Sequence, residues 1–103
     1  MLMVAFGNDA PENVLVQLEL APGDAKLVTI TPHIAQSLLG LNINNRRLGY
    51  DTVVRLAEEI EAGRWRVNGE TIKINQQGVL VDGQHRLAAI VLADRSIQSY
   101  VVV

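Results

Sequence analysis

Leu80-Val81-Asp82-Gly83-Gln84-His85-Arg86-Leu87-Ala88-Ala89 decides between the fold classes open to this chain. Val79, Leu80 and Val81 read as the end of a strand, Asp82-Gly83 breaks it, and the seven apolar residues Leu87 to Ala93 read as a buried helix. The polar residues Asp82, Gln84, His85 and Arg86 therefore fall, around one glycine, at a strand-to-helix turn. A helix N-terminus carries unpaired N–H groups and partial positive charge, which suits it to an anion. Gly83 allows close backbone approach, and a guanidinium such as that of Arg86 can hold a phosphate with two parallel donors. The same residues also have a purely structural reading. In that reading Asp82 caps the helix by accepting from N–H groups two or three residues ahead, and Arg86 pairs with a carboxylate such as Glu70.

Working outward, Thr71–Asn75 and Val79–Val81 flank Gln76-Gln77-Gly78 and form an expected hairpin. Beyond the helix, Asp94-Arg95-Ser96 is a loop and Ser99–Val103 a β-branched strand. Its Tyr100-Val-Val-Val103 end is expected at a sheet edge, open to pairing with a host protein or a second copy. Upstream, Val53, Leu56, Ala57 and Ile60 fall at i, i+3, i+4 and i+7. That spacing is one face of an amphipathic helix, with Asp51 or Thr52 as its cap and Gly63 as its stop. Arg55, Glu58, Glu59 and Glu61 lie outside the face; Arg55 is at favourable i, i+4 spacing from Asp51, and the three glutamates read as solvated. Thr31-Pro32 starts an earlier helix, with Ile34, Ala35, Leu38 and Leu39 as its stripe and Gly40 at its end. Val14, Val16, Leu18 and Leu20 alternate with Gln17 and Glu19 as in a half-buried strand. Ala21-Pro22-Gly23-Asp24 suits a type II turn into a strand over Lys26–Ile30, so 14–30 is an expected hairpin after a loose lead-in. The resulting order, ββ-αα-ββ-α-β, is α+β with about three helices rather than a doubly wound sheet.

At 103 residues and 49 % apolar content the chain is one globular domain. Its net charge of −2 does not favour a duplex-binding domain, which ordinarily carries a basic face. It has no cysteine, and its two histidines, His33 and His85, are far apart, so no zinc, haem or thiol cofactor is expected. The longest apolar run is well short of a membrane span. Met1–Phe6 lacks a basic flank and is too short for a signal peptide, so a cytoplasmic location without membrane contact is expected.

Over Thr31–Val103 the chain resembles the ParB/sulfiredoxin-like superfamily, specifically its DGQHR-bearing, ParB-like "nuclease" branch of bacteria and their phages. Residues 1–30 lie outside the resemblance. It is carried by Ile30-Thr31-Pro32, Asn44-Asn45-Arg46, Leu56-Ala57, Gly63-Arg64-Trp65, Asn68-Gly69-Glu70 and Val81–Ala89, in that order. The resemblance implies a compact α+β fold with a small mixed sheet and a phosphate pocket at the turn before the last long helix. It also implies a nucleotide of the CTP or ATP type as partner. By position Gly83, Gln84, His85 and Arg86 would hold phosphate, with Asn44, Asn45 and Arg46 leaning over the pocket. Asp82 would cap the helix or help hold Mg²⁺ with the nucleotide. Sulfiredoxin chemistry needs a cysteine where Gln84 stands, and is excluded.

Three functions follow as expectations. The first is nucleotide or phosphate binding, with NTP hydrolysis or phosphotransfer carried by Asp82, His85 and Glu70. The second is a DNA-associated or nuclease-like module in which Arg46, Arg47, Arg64 and Arg66 track a strand. The third is a non-enzymatic phage accessory protein that binds a host protein. Trp65 has two readings, an anchor for the preceding helix end or a stacking surface for a base.

Overall fold

Most element boundaries follow from local chemistry, and strand order then fixes where the turn sits. The computed structural model describes residues 11–41, 48–67 and 71–103. In chain order its elements are α1 (Pro11–Gln17), β1 (Ala25–Ile30), α2 (Pro32–Leu39), α3 (Tyr50–Glu61), β2 (Thr71–Ile74), β3 (Leu80–Asp82), α4 (Gln84–Ala93) and β4 (Ile97–Val102). The α+β class is as expected. Among the described residues there are four helices rather than three.

The difference lies in Val14–Leu20, which is not a strand. Pro11, with its fixed φ, is the first residue of α1. The N–H of Leu18 reaches the carbonyl of Val14 at 3.0 Å. Val14 is buried but Val16 is 73 % exposed, so the two do not share a face as alternation requires. Glu19 closes the helix at φ 57°, with Leu20 N–H on the Leu15 carbonyl at 2.9 Å. This is a left-handed C-terminal cap made without glycine. The expected turn follows: Asp24 N–H bonds the Ala21 carbonyl at 2.9 Å and Gly23 takes φ 92°, the type II signature. It joins a helix to β1, so residues 14–30 do not form a hairpin.

α2 begins as read, with the Thr31 hydroxyl accepting from Ile34 N–H at 3.1 Å and Pro32 in the first turn. α3 begins earlier than expected. Its cap is Gly49, without a side-chain cap bond, and Asp51 lies inside the first turn, where a negative charge favours the helix dipole. The buried face of α3 is the one read from spacing: Val53, Ala57 and Ile60 are buried and Leu56 packs against them. Gly63, at φ 73°, ends it, with Arg64 N–H on the Glu59 carbonyl and Gly63 N–H on that of Ile60.

The sheet order is β1-β4-β2-β3. β4 runs antiparallel to β1, from Ala25↔Val102 to Ile30↔Ile97, and parallel to β2, from Thr71↔Tyr100 to Lys73↔Val102. The final strand is therefore interior and has no free edge, which corrects its expected place. Tyr100–Val102 is paired on both sides, and the edges of the described sheet are β1 and β3. The β2–β3 hairpin forms as expected, around an Asn75 side chain that accepts from the N–H groups of Gln77 and Val79.

Ile97, Ser99 and Val101 of β4 are buried, whereas Gln98 and Tyr100 on the opposite face are exposed. One face of the sheet is covered and the other is left open by the described residues. α4 packs against both α2 and α3, with Leu87, Ala89 and Ile90 fully buried. Burying a side chain of the size of Leu87 contributes roughly 1.5–3 kcal/mol, so the core itself pins the helix whose first turn carries the polar residues. No helix among the described residues is long and apolar enough to cross a membrane.

Candidate functional site

Gly83 is the hinge of the site. It caps α4 at φ 106°, and a Cβ placed on it would lie 2.9 Å from Ile72 Cγ1 and 3.2 Å from Ile72 Cα. Conformation and space both demand glycine here. Because the glycine presses on β2, the chain leaves β3 and enters α4 without a loop, and Leu87 N–H takes the Gly83 carbonyl at 2.9 Å. α4 has no side-chain cap. Asp82 therefore does not cap it, contrary to the structural reading: it belongs to β3 and is exposed. Among the described residues α4 therefore lacks the side-chain cap bond that Thr31 provides for α2.

Beside this turn lies a cavity of about 440 Å³ lined by Asp82, Gly83, Gln84, His85 and Arg86. Its other wall is α3, through Thr52, Arg55, Leu56 and Glu59. The sequence reading put Glu59 on a solvated face, matched Arg55 only with Asp51, and gave Thr52 only a capping role. Thr52, Arg55, Leu56 and Glu59 fall at i, i+3, i+4 and i+7 on one strip of α3, and the packing of α3 on α4 places that strip beside the site. The spacing was visible in the sequence, but the neighbour that makes it significant was not.

The individual side chains differ in how free they are. His85 Nε2 accepts from Gly49 N–H at 3.0 Å, so this nitrogen presents its lone pair and the ring proton sits on Nδ1. The bond ties the first turn of α4 to the start of α3. Toward a phosphate His85 has one ring N–H to offer, and Nε2 is not available as a base while the bond holds. Arg86 is half-buried and donates from Nη1 to the Thr71 carbonyl at 3.2 Å, bracing the start of β2 against α4. Gln84 is 7 % exposed and lines the cavity, and its amide has no hydrogen-bond partner among the described residues. Such an amide at the cavity has donors and an acceptor to offer to solvent or a ligand.

Other expected contributors separate from this turn. Trp65 packs on the core rim, and its indole N–H donates to the Gln98 carbonyl at 3.3 Å, which is the anchoring role. Arg64 and Arg66 are exposed on either side of it, beyond the C-terminal end of α3, and do not line the cavity. Asn44, Asn45, Arg46, Arg47 and Glu70 lie outside the described residues. No three His, Asp or Glu side chains among the described residues group as a metal site. Asp82 alone fits only the kind of Mg²⁺ site in which one or two carboxylates act together with ligand phosphates. No family model, no curated protein and no solved structure matches this chain.

Proposed function

We propose that this domain binds the phosphate of a nucleotide at the turn from Gly83 to Arg86. The observation that carries the proposal is the uncapped first turn of α4 opening onto the cavity, with Arg55 and Arg86 on its lining. Oriented N–H groups, a helix dipole and guanidinium groups are what a phosphate needs, and here they meet in one place. The resemblance of Asp82–Arg86 to the ParB-like pattern supports the same ligand class and makes CTP or ATP the first nucleotides to try. Mg²⁺, where it takes part, would sit between Asp82 and the bound phosphates. Binding is favoured over turnover, because the Nε2 of His85 is engaged by Gly49 and is not available as a base.

Calorimetric titration with CTP, ATP and GTP, each with Mg²⁺, tests the proposal. We expect saturable binding of one of them. Arg55→Ala should weaken it by about tenfold, the loss of one charge-assisted contact. Arg55 is exposed on α3, so the variant should fold normally. Heat-silent titrations with all three nucleotides, or affinity unaltered by Arg55→Ala, would overturn the proposal.

A further inference from the structure

We propose that the α3 wall of the cavity recognises the hydroxyl groups of a sugar phosphate, with Glu59 accepting from a vicinal pair and the Gln84 amide bonding beside it. The inference rests on the phosphate reading of the α4 turn and adds the chemistry of the rest of the ligand.

A pocket for phosphate alone has no use for a carboxylate, which repels the anion. This cavity has two, Glu59 and Asp82, opposite in sign to Arg55 and Arg86 on the same lining. Neither Glu59 nor Asp82 has a side-chain hydrogen bond or ion pair among the described residues, so neither is taken up by Arg55 or Arg86. Glu59 is half-buried and lies one turn beyond Arg55 on the same strip of α3. An ionised carboxylate only accepts, and two neighbouring hydroxyls offer it two donors in a matching fork. The second, independent observation is Gln84. The residue is more than nine-tenths buried, lines the cavity, and its side chain has no hydrogen bond among the described residues. An amide carries both donor and acceptor, which suits a hydroxyl that is itself both. Cationic and anionic groups together fit a ligand with an anionic end and a hydroxyl-bearing end. They fit the uniformly charged backbone of a nucleic acid less well.

The test compares inorganic phosphate, ribose 5-phosphate and 2-deoxyribose 5-phosphate by calorimetry and amide-shift titration, on the native chain and on Glu59→Gln. The native chain should bind ribose 5-phosphate about tenfold more tightly than inorganic phosphate, and the 2-deoxy compound, which lacks the vicinal pair, should lose most of that gain. Glu59→Gln should move the two affinities in opposite directions. It should strengthen inorganic phosphate binding by removing a like charge and erase the preference for ribose over 2-deoxyribose. If phosphate binds but all three ligands bind alike, or if Glu59→Gln weakens all three equally, the hydroxyl assignment is overturned and the phosphate reading stands. If none of the three binds, both fall together.

Discussion

α2 and α4 begin in opposite ways. At α2 the chain closes its own N-terminus: the Thr31 hydroxyl takes the N–H of Ile34, and Pro32 removes another donor. At α4 the cap is Gly83 in a left-handed conformation, without a side-chain bond, and the first turn borders a cavity. The first arrangement gains stability from a local hydrogen bond. The second gives that up. α3 lies between the two, since its Gly49 cap has no side-chain bond of its own yet donates its N–H to His85 on α4. A helix start without a side-chain cap that borders a cavity is where a ligand is to be sought.

The largest predicted effect comes from breaking the open start. Gly83→Ala should cost about 2–4 kcal/mol in chemical denaturation, because its φ is unfavourable for a Cβ and that Cβ would press on Ile72. Gly23→Ala separates the two causes. Its φ is also positive but nothing lies within 4 Å of its Cβ position, so about 1–2 kcal/mol is expected. Next is the closed start. Thr31→Ala should cost about 1 kcal/mol in the same assay. It should not alter nucleotide affinity, since the cavity and its arginines belong to α3 and α4. The smallest effect has the opposite sign. Glu19→Gly removes a Cβ from a left-handed position and should stabilise the chain by about 0.5 kcal/mol, read as a rise in the denaturation midpoint.

The parts of this architecture that depend on neighbouring residues were legible in the sequence. Thr31-Pro32, the Asn75–Val79 turn, the apolar stripe of α3 and the strand-to-helix break at Gly83 are each decided within a few positions. Val14–Leu20 was misread because its apolar residues alternate, and so short a segment satisfies period 2 as well as one helical face. Val16, exposed in the structure, is the residue that separates the two. The interior position of β4 was not legible, since it depends on a parallel pairing with β2 across the intervening β3 and α4. The candidate site divides along the same line. Its Gly83–Arg86 half lies in one stretch of sequence. Its Thr52, Arg55 and Glu59 half is an ordinary polar helix face until α3 packs beside α4.

The most direct test follows the amide signals of the two helix starts in one experiment, a two-dimensional NMR titration of the native chain with inorganic phosphate and then the best-binding nucleotide. The account predicts saturable shifts at Gln84, His85 and Arg86, with Ile34 at the start of α2 unmoved. Equal shifts at both helix starts, or none at Gln84–Arg86, would contradict it.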